Sequence, residues 1–208
     1  MYIPHLNRVE DAAKITAFIH AYGFATLVTQ SEGVLVASHL PVLLDERDGN
    51  HGSLRSHMAS ANDQWRQFHP AREVLCIFQG PHSYISPSWY QSKIAVPTWN
   101  YAAVHVYGLP QIIEEPAALR KIVIDTTAKY ESKLTSDGAS APQNDLVDAL
   151  LRTIIGFSIR ITRIEAKFKL GQNRPKEDQE SMLRALGTSE SADSRALAEF
   201  IKAQVPGS

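Results

Sequence analysis

Cysteine is almost missing from this chain: Cys76 is the one cysteine in 208 residues. No disulfide can form within the chain, and such usage fits a reducing compartment. Cys76 lies in the apolar run EVLCIF and reads as a small buried hydrophobe rather than a nucleophile. No run approaches the roughly 18 apolar residues of a membrane span. The N-terminal MYIPHLNRVEDAAK has no basic region followed by an apolar stretch, so it does not read as a secretory leader. A cytoplasmic location is expected. An excess of either charge is also missing, with 21 Lys+Arg against 22 Asp+Glu. Without a basic stripe or a recognisable helix-turn-helix, direct DNA binding is expected to be weak.

Several catalytic and cofactor patterns are absent from the sequence. There is no G-x-G-x-x-G after a strand, no G-x-x-x-x-G-K-[ST], no H-E-x-x-H, no paired C-x-x-C and no G-x-S-x-G. His51 and His57 would share a strand face, but nothing nearby suggests a third metal ligand. Ring nitrogens satisfied by backbone or water are the better reading.

What is present is a β-rich pattern with helices around it. Residues 8 to about 21 predict a helix, with Asn7 as cap and Glu10 three residues on. FATLVTQSEGVLVASHLPVLLD predicts a hairpin turning at Gly33, with Pro41 forcing a bulge, bend or edge in its second strand. HGSLRSHM and EVLCIFQ predict two more strands, with a short helix between them capped by Ser60. NYAAVHVYGLPQIIE predicts a fifth strand interrupted at Gly108 and Pro110. A helix from Pro116 to about Leu134 follows, with Leu119, Ile122, Val123, Thr126 and Tyr130 in register. TSDGASAPQ reads as a loop, and a short helix then carries Leu146 and Val147. IIGFSIRITRIEAKFKL alternates as a sixth strand, and helices near 176–186 and 191–203 close the chain. Six strands in hairpin order do not alternate with helices one for one. The expected fold is therefore mainly β with peripheral helices, a six-stranded antiparallel barrel. Its expected domains are a barrel over 1–170, with a helical insertion at about 116–152, and a helical tail over 171–208.

Four stretches could contact a ligand. ASHLPV places a proline where a strand could leave backbone groups free; an ordinary barrel corner explains it equally well. Arg55, Ser56 and His57 end a strand just before a helix start, which favours phosphate, while simple capping is the plainer reading. KFKLGQNRP gathers Lys167, Lys169, Gln172, Asn173 and Arg174, or else is a solvated turn. GPHSYISPSWYQSKIAVPTWNY is the densest aromatic segment. Trp89, Tyr90, Trp99 and Tyr101 could form a wall, with Ser86, Ser88, Thr98 and Asn100 as polar handles. Such a wall suits a planar heteroaromatic ligand or a subunit interface.

MYIP, FATLVT, SHLP, HMASANDQW, GPHSYISPSWY, VPTWNY and IIGFSIRITRIEAKFKLGQNRP occur in that order over about residues 1–186. In this the chain resembles the PaiB-type FMN-binding negative transcriptional regulators, a branch of the flavin-binding split barrels. The resemblance implies a split β-barrel of FMN-binding type, a homodimer and a bound FMN. It implies phosphate at Arg55, Ser56 and His57, with the helix start near Asn62. The isoalloxazine edge would meet backbone near His39, Leu40 and Pro41. Trp99, Asn100 and Lys169 or Gln172 would close the pocket, from the second subunit or the same one. No catalytic acid or base is implied, because a flavin carries its own redox chemistry. The function it implies is that of a repressor-type regulator; the alternative is a flavin-dependent oxidoreductase.

Overall fold

A computed structural model describes residues 1–48, 51–131 and 144–204. The TSDGASAPQ loop and the side chains of Leu146 and Val147 lie outside the described residues. The chain divides into two compact units. One comprises Met1–Phe18, Gln79–Val104 and Glu165–Ser208, the other Ile19–Phe78 and His105–Ile164. The C-terminal helices, expected as a tail beyond 170, are thus grouped with residues 165–170 in the first unit.

Among the described residues the strands are β1 (Arg8–Val9), β2 (Phe24–Ser31), β3 (Val34–Pro41), β4 (Leu43–Asp45), β5 (Ser53–Ala59), β6 (Val74–Ile85), β7 (Thr98–Ile113) and β8 (Ile154–Lys169). The helices are α1 (Ala12–Ala21), α2 (Pro116–Glu131), α3 (Asn144–Leu151), α4 (Lys176–Gly187) and α5 (Ala192–Gln204). No helix among the described residues is long and apolar enough to cross a membrane.

The second unit holds the barrel. Its strand order is β3-β2-β6-β7-β8-β5-β4. Laid flat, seven strands at the usual spacing would put the two end strands roughly 29 Å apart. Yet β3 and β4 are joined by Val42 alone, a link of at most about 7 Å. The sheet must therefore curl until its ends meet. Side chains stitch the seam: Ser56 Oγ donates to the Pro41 carbonyl at 2.6 Å, and Asn62 Nδ2 donates to Ser38 Oγ at 2.9 Å. Alternation then sends Ala25, Leu27, Leu54, Met58, Cys76, Phe78, Phe157 and Ile159 inward, each at most 2% exposed. Burial pushes the Cys76 thiol up to about 12, which fits its role as a core hydrophobe. Buried Gln64 donates to the Leu27 and Val36 carbonyls, both at 3.0 Å, and so ties the short helical turn Asp63–Gln67 to the hairpin.

The hairpin turn is built by Glu32 and Gly33, whose φ angles are 53° and 80°. Two successive positive φ values match the primed turns that follow strand twist, and glycine adopts one without strain.

The first unit packs helices on strand ends. Ile85 and Tyr90 bury against Met182 and Leu186 of α4 and against Leu197, Ala198 and Ile201 of α5. Phe18 of α1 meets Phe168 and Phe200 at ring separations of 5.2 and 5.9 Å. Here β1 pairs with β8, Arg8 opposite Lys167 and Val9 opposite Ala166.

Among the described residues, eight strands stand where six were expected. Strand β1 takes residues assigned by pattern to the first helix, and Val42 splits β4 from the run that carries β3. Helix α1 consequently begins at Ala12. Its cap is not the expected Asn7 but Asp11, whose Oδ1 accepts from the amides of Ala13 and Lys14 at 2.9 and 3.2 Å. Likewise Asn62, not Ser60, caps the Asp63–Gln67 turn, accepting from the Gln64 amide. Strand β7 runs unbroken through Gly108 and Pro110. A Cβ on Gly108 would sit 2.4 Å from the Arg160 carbonyl oxygen, so the glycine serves close backbone approach.

Candidate functional site: two polar clusters

In the second unit, strand alternation separates the three residues expected at a phosphate. Arg55 and His57 share one face of β5 with Ser53, while Ser56 is buried on the opposite face and spends its hydroxyl on Pro41. The Arg55 guanidinium lies 3.4 Å from Asp45 and 3.5 Å from Asp125 of α2. Both separations exceed normal hydrogen-bond length. Asp125 has a second cation, Lys121, whose Nζ is 3.0 Å from both carboxylate oxygens.

Both β5 and α2 carry buried polar atoms without a hydrogen-bond partner. Among the described residues they include Ser53 Oγ, Arg55 Nε and His57 Nδ1 on β5, with Thr126 Oγ1 and Tyr130 Oη one turn apart on α2. Buried polar groups are normally satisfied, so these atoms call for a partner. All five can donate, which is the chemistry an oxyanion needs. Burial lowers the His57 pKa and keeps the imidazole neutral. Beside Arg55 a cavity of about 510 Å³ opens, lined by Arg47 and Lys121 but also by Asp45, Glu46 and Asp48.

The other expected barrel residues lie on or beside β3. His39 stacks on Phe24 at 6.4 Å, and its Nδ1 is 3.0 Å from Thr26 Oγ1. Leu40 and Pro41 pair with Ala25 and Phe24 at the end of the hairpin. Asn62 is committed to its capping and its bond to Ser38.

In the first unit, the aromatic stretch is strand at both ends and irregular between them. Gly80–Ile85 belongs to β6, Pro87–Trp89 is a short helical turn, and Trp99 is the second residue of β7. Trp89 packs against the α4–α5 core, away from any wall. A smaller wall does form. Trp99, 55% exposed, has His82 and Tyr84 beside it at ring separations of 6.2 and 6.1 Å. Lys169 donates to Thr98 Oγ1 and, at 2.8 Å, to the Trp99 carbonyl. Its pKa is lowered by burial first, with Lys167 adding to the fall and Tyr101 opposing it.

Asn100 and Gln172 have structural partners instead. Asn100 is 1% exposed and donates to the Met182 sulfur. Gln172 closes the turn after β8, donating to the Leu6 and Phe168 carbonyls and accepting from the Leu170 amide. His51 and His57 gain no companions: no metal-binding group of three His, Cys, Asp or Glu occurs among the described residues.

Residues 1–163 match the family described as "Putative FMN-binding domain". The chain belongs to that family. It is also 37% identical over 204 residues, 97% of each chain, to protease synthase and sporulation protein PAI 2 of Bacillus subtilis. An uncharacterized protein of Aspergillus fumigatus is 30% identical over 197 residues, spanning 72% of this chain and 75% of that one. Among solved structures, a conserved hypothetical protein of Mycobacterium tuberculosis superposes with a TM-score of 0.59 at 15% identity, over 84% of this chain and 94% of that one. The flavocytochrome Anf3 of Azotobacter vinelandii gives 0.57 at 15% identity, over 84% and 75%. These likenesses establish the split-barrel fold. The chain is thus a split-barrel protein of the FMN-binding domain family, of PaiB type. The matched segment contains the whole β5–α2 donor cluster and Trp99, but ends before Lys167 and Lys169.

The donor cluster fits the phosphate end of FMN in its chemistry. Arg55, His57, Thr126 and Tyr130 could each donate to a phosphate oxygen, and Arg55 would supply charge. The carboxylates Asp45 and Asp125 oppose it. Reasoning from sequence did not single out Asp125, Thr126 and Tyr130 as site residues. Their signal was there: a Thr and a Tyr one turn apart on the inner stripe of a helix.

Proposed function

We propose that the protein binds FMN, with the phosphate received by Arg55 and His57 of β5 and by Thr126 and Tyr130 of α2. The observation that carries this reading is the set of buried, partnerless donors on β5 and α2, two elements bridged by the Arg55–Asp125 ion pair, inside the segment matched by the FMN-binding family. The flavin ring edge meets β3 near His39, Leu40 and Pro41. Binding requires Arg55 to exchange a carboxylate contact for the phosphate. Lys121 then remains to neutralise Asp125.

In this reading the working form is a cytoplasmic homodimer, with Trp99 and Lys169 of one copy closing on the flavin of the other. FMN supplies redox chemistry when bound; the chain's own groups bind, orient and shield it. The regulatory role follows the Bacillus relative, whose name ties it to protease synthesis and sporulation. With a net charge of −1, regulation proceeds through ligand or protein contact rather than through a phosphate-neutralising DNA surface.

The test is reconstitution. Flavin-free protein is mixed with FMN, passed through a desalting column and its absorbance recorded. Flavin bands that stay with the protein at about one per chain support the reading. A colourless protein after the column, together with no saturable quenching of flavin fluorescence, refutes it.

A further inference from the structure

A cavity of about 330 Å³ opens within the first unit. Its floor is apolar: Phe168 and Ile201 are 5% and 6% exposed, and Val9 and Leu170 complete it. The floor is also stiff, because the Phe168 ring packs against those of Phe18 and Phe200, each at 5.2 Å. Strand alternation turns Phe168 away from Lys169, so the cavity lies across β8 from the wall around Trp99. Phe168, Leu170, Gln179 and Ile201 all follow residue 163, where the family match ends. The cavity shares no lining residue with the site proposed for the flavin.

The rim carries both signs of charge. Arg8 and Glu10 face each other at 3.7 Å. Asp11 spends Oδ1 on the amides of Ala13 and Lys14. Among the described residues nothing bonds to its other oxygen, and the Lys14 ammonium meets no acid. Asp11 and Lys14 stand three residues apart across the first turn of α1, so they lie on one side of it. Gln179 of α4 adds an acceptor, since its Nε2 donates to the Arg174 carbonyl and its Oε1 is left over. Gln172 adds nothing, its amide being spent on Leu6, Phe168 and Leu170. Exposed charges are at ease in water, so the rim alone would describe no ligand. An apolar floor directly beneath a rim of both signs does.

We propose that this cavity binds a free α-amino acid with an apolar side chain of about leucine size. The side chain rests on Val9, Phe168 and Ile201. The carboxylate meets Lys14, and the ammonium meets Asp11 and Gln179 Oε1. The volume is at the small end of the roughly 300–1,000 Å³ usual for ligand pockets, which suits such a molecule better than a nucleotide. A plain carboxylic acid would bring its charge beside Glu10 and Asp11 with nothing to offset it. A plain amine would do the same beside Arg8 and Lys14. A zwitterion with an apolar body answers both signs and the floor together. The stiff floor keeps the ordering cost of binding low.

Equilibrium dialysis of the full-length protein against radiolabelled L-leucine tests this. Saturable binding at about one leucine per chain is expected. L-Alanine should compete at least about tenfold less well, because it forgoes most of the apolar burial. Isocaproate and isoamylamine are leucine without its ammonium and without its carboxylate. Each should compete about fivefold less well, the upper worth of one exposed charge contact. Lys14→Gln, at an exposed position, should weaken leucine by about the same factor. Val9→Phe fills the cavity and should weaken it at least about tenfold. If Val9→Phe fails to fold, Lys14→Gln and the competitor series still decide. Saturating FMN should leave leucine binding unchanged, so the result stands apart from the flavin reading. Protein that binds leucine but no FMN would sink that reading alone. The proposal is overturned if leucine does not saturate below about 10 mM, or if isocaproate or isoamylamine competes as well as leucine. Displacement of leucine by FMN, or folded variants that bind it like wild type, would overturn it equally.

Discussion

Asp178 of α4 holds Ser92 by both its backbone and its side chain: the carboxylate accepts from the Ser92 amide at 3.0 Å and from the Ser92 hydroxyl at 2.7 Å. A third bond, from the Gln91 amide at 2.8 Å, completes the clamp on the segment between β6 and β7. Hydrogen bonds of this kind favour the ionised form, and the Ser92 side-chain bond is the largest cause holding the Asp178 pKa below its usual range. A depressed carboxylate stabilises the fold above the unfolded pKa of about 3.9 and loses that stabilisation as pH falls through its folded value. Asp178→Ala is expected to speed amide exchange at Gln91 and Ser92 at neutral pH. It should also flatten the decline of melting temperature below about pH 4. Unchanged exchange at both amides would show that the clamp does not hold the segment.

His57 shifts in the opposite sense for its charge. Burial lowers its pKa, so the unfolded chain takes up a proton near the ordinary value of about 6.5 while the folded chain refuses it. Stability should therefore fall as pH drops below about 6.5 and keep falling until the folded value is reached. His57→Asn is expected to reduce that slope below about pH 6.5, measured by urea unfolding at fixed ionic strength. An equal slope in the variant would assign the decline to other groups.

Two glycines separate backbone from side-chain crowding. A Cβ at Gly108 would meet the Arg160 carbonyl at 2.4 Å, while one at Gly156 would meet the Leu119 side-chain methyl at 2.5 Å. Leu119 can rotate and the β8 backbone cannot. Gly108→Ala should cost about 3 kcal/mol or more, and Gly156→Ala about 1–2 kcal/mol, by chemical denaturation. Equal losses would mean that β8 yields more easily than its position in the sheet suggests.

Asp125 competes with any anion for Arg55. Asp125→Asn keeps the shape and removes one charge beside the guanidinium. It is expected to tighten FMN about three- to tenfold, the size of a partly screened charge contact, and to leave riboflavin unchanged. Tightening of both ligands alike would point to a looser α2 rather than to charge.

Much of this architecture was legible in residues. Alternation marked β8 as a strand, and the short turn at Gly33 fixed the hairpin. What escaped was decided by partners distant in sequence. Arg8 and Val9 look helical until β8 offers them a ladder. Val42 looks like strand until the seam of the barrel passes through it. The site was legible as residue types but not as directions. Period-two geometry turns Ser56 away from Arg55, and Asn100 is claimed by Met182, because a neighbouring strand residue faces the other way. The α2 contribution to the donor cluster depends on how a helix packs, which local pattern does not encode.

Phosphate recognition at Arg55 carries the account, and comparing FMN with riboflavin isolates it, since the two differ only in the phosphate. Affinities of both ligands are measured by flavin fluorescence quenching in wild type and in Arg55→Ala. Wild type is expected to prefer FMN, and Arg55→Ala to lose about 1.5–3 kcal/mol of FMN affinity, roughly 10- to 100-fold, with riboflavin affected little. Equal affinity of wild type for the two ligands, or equal losses in the variant, would contradict it.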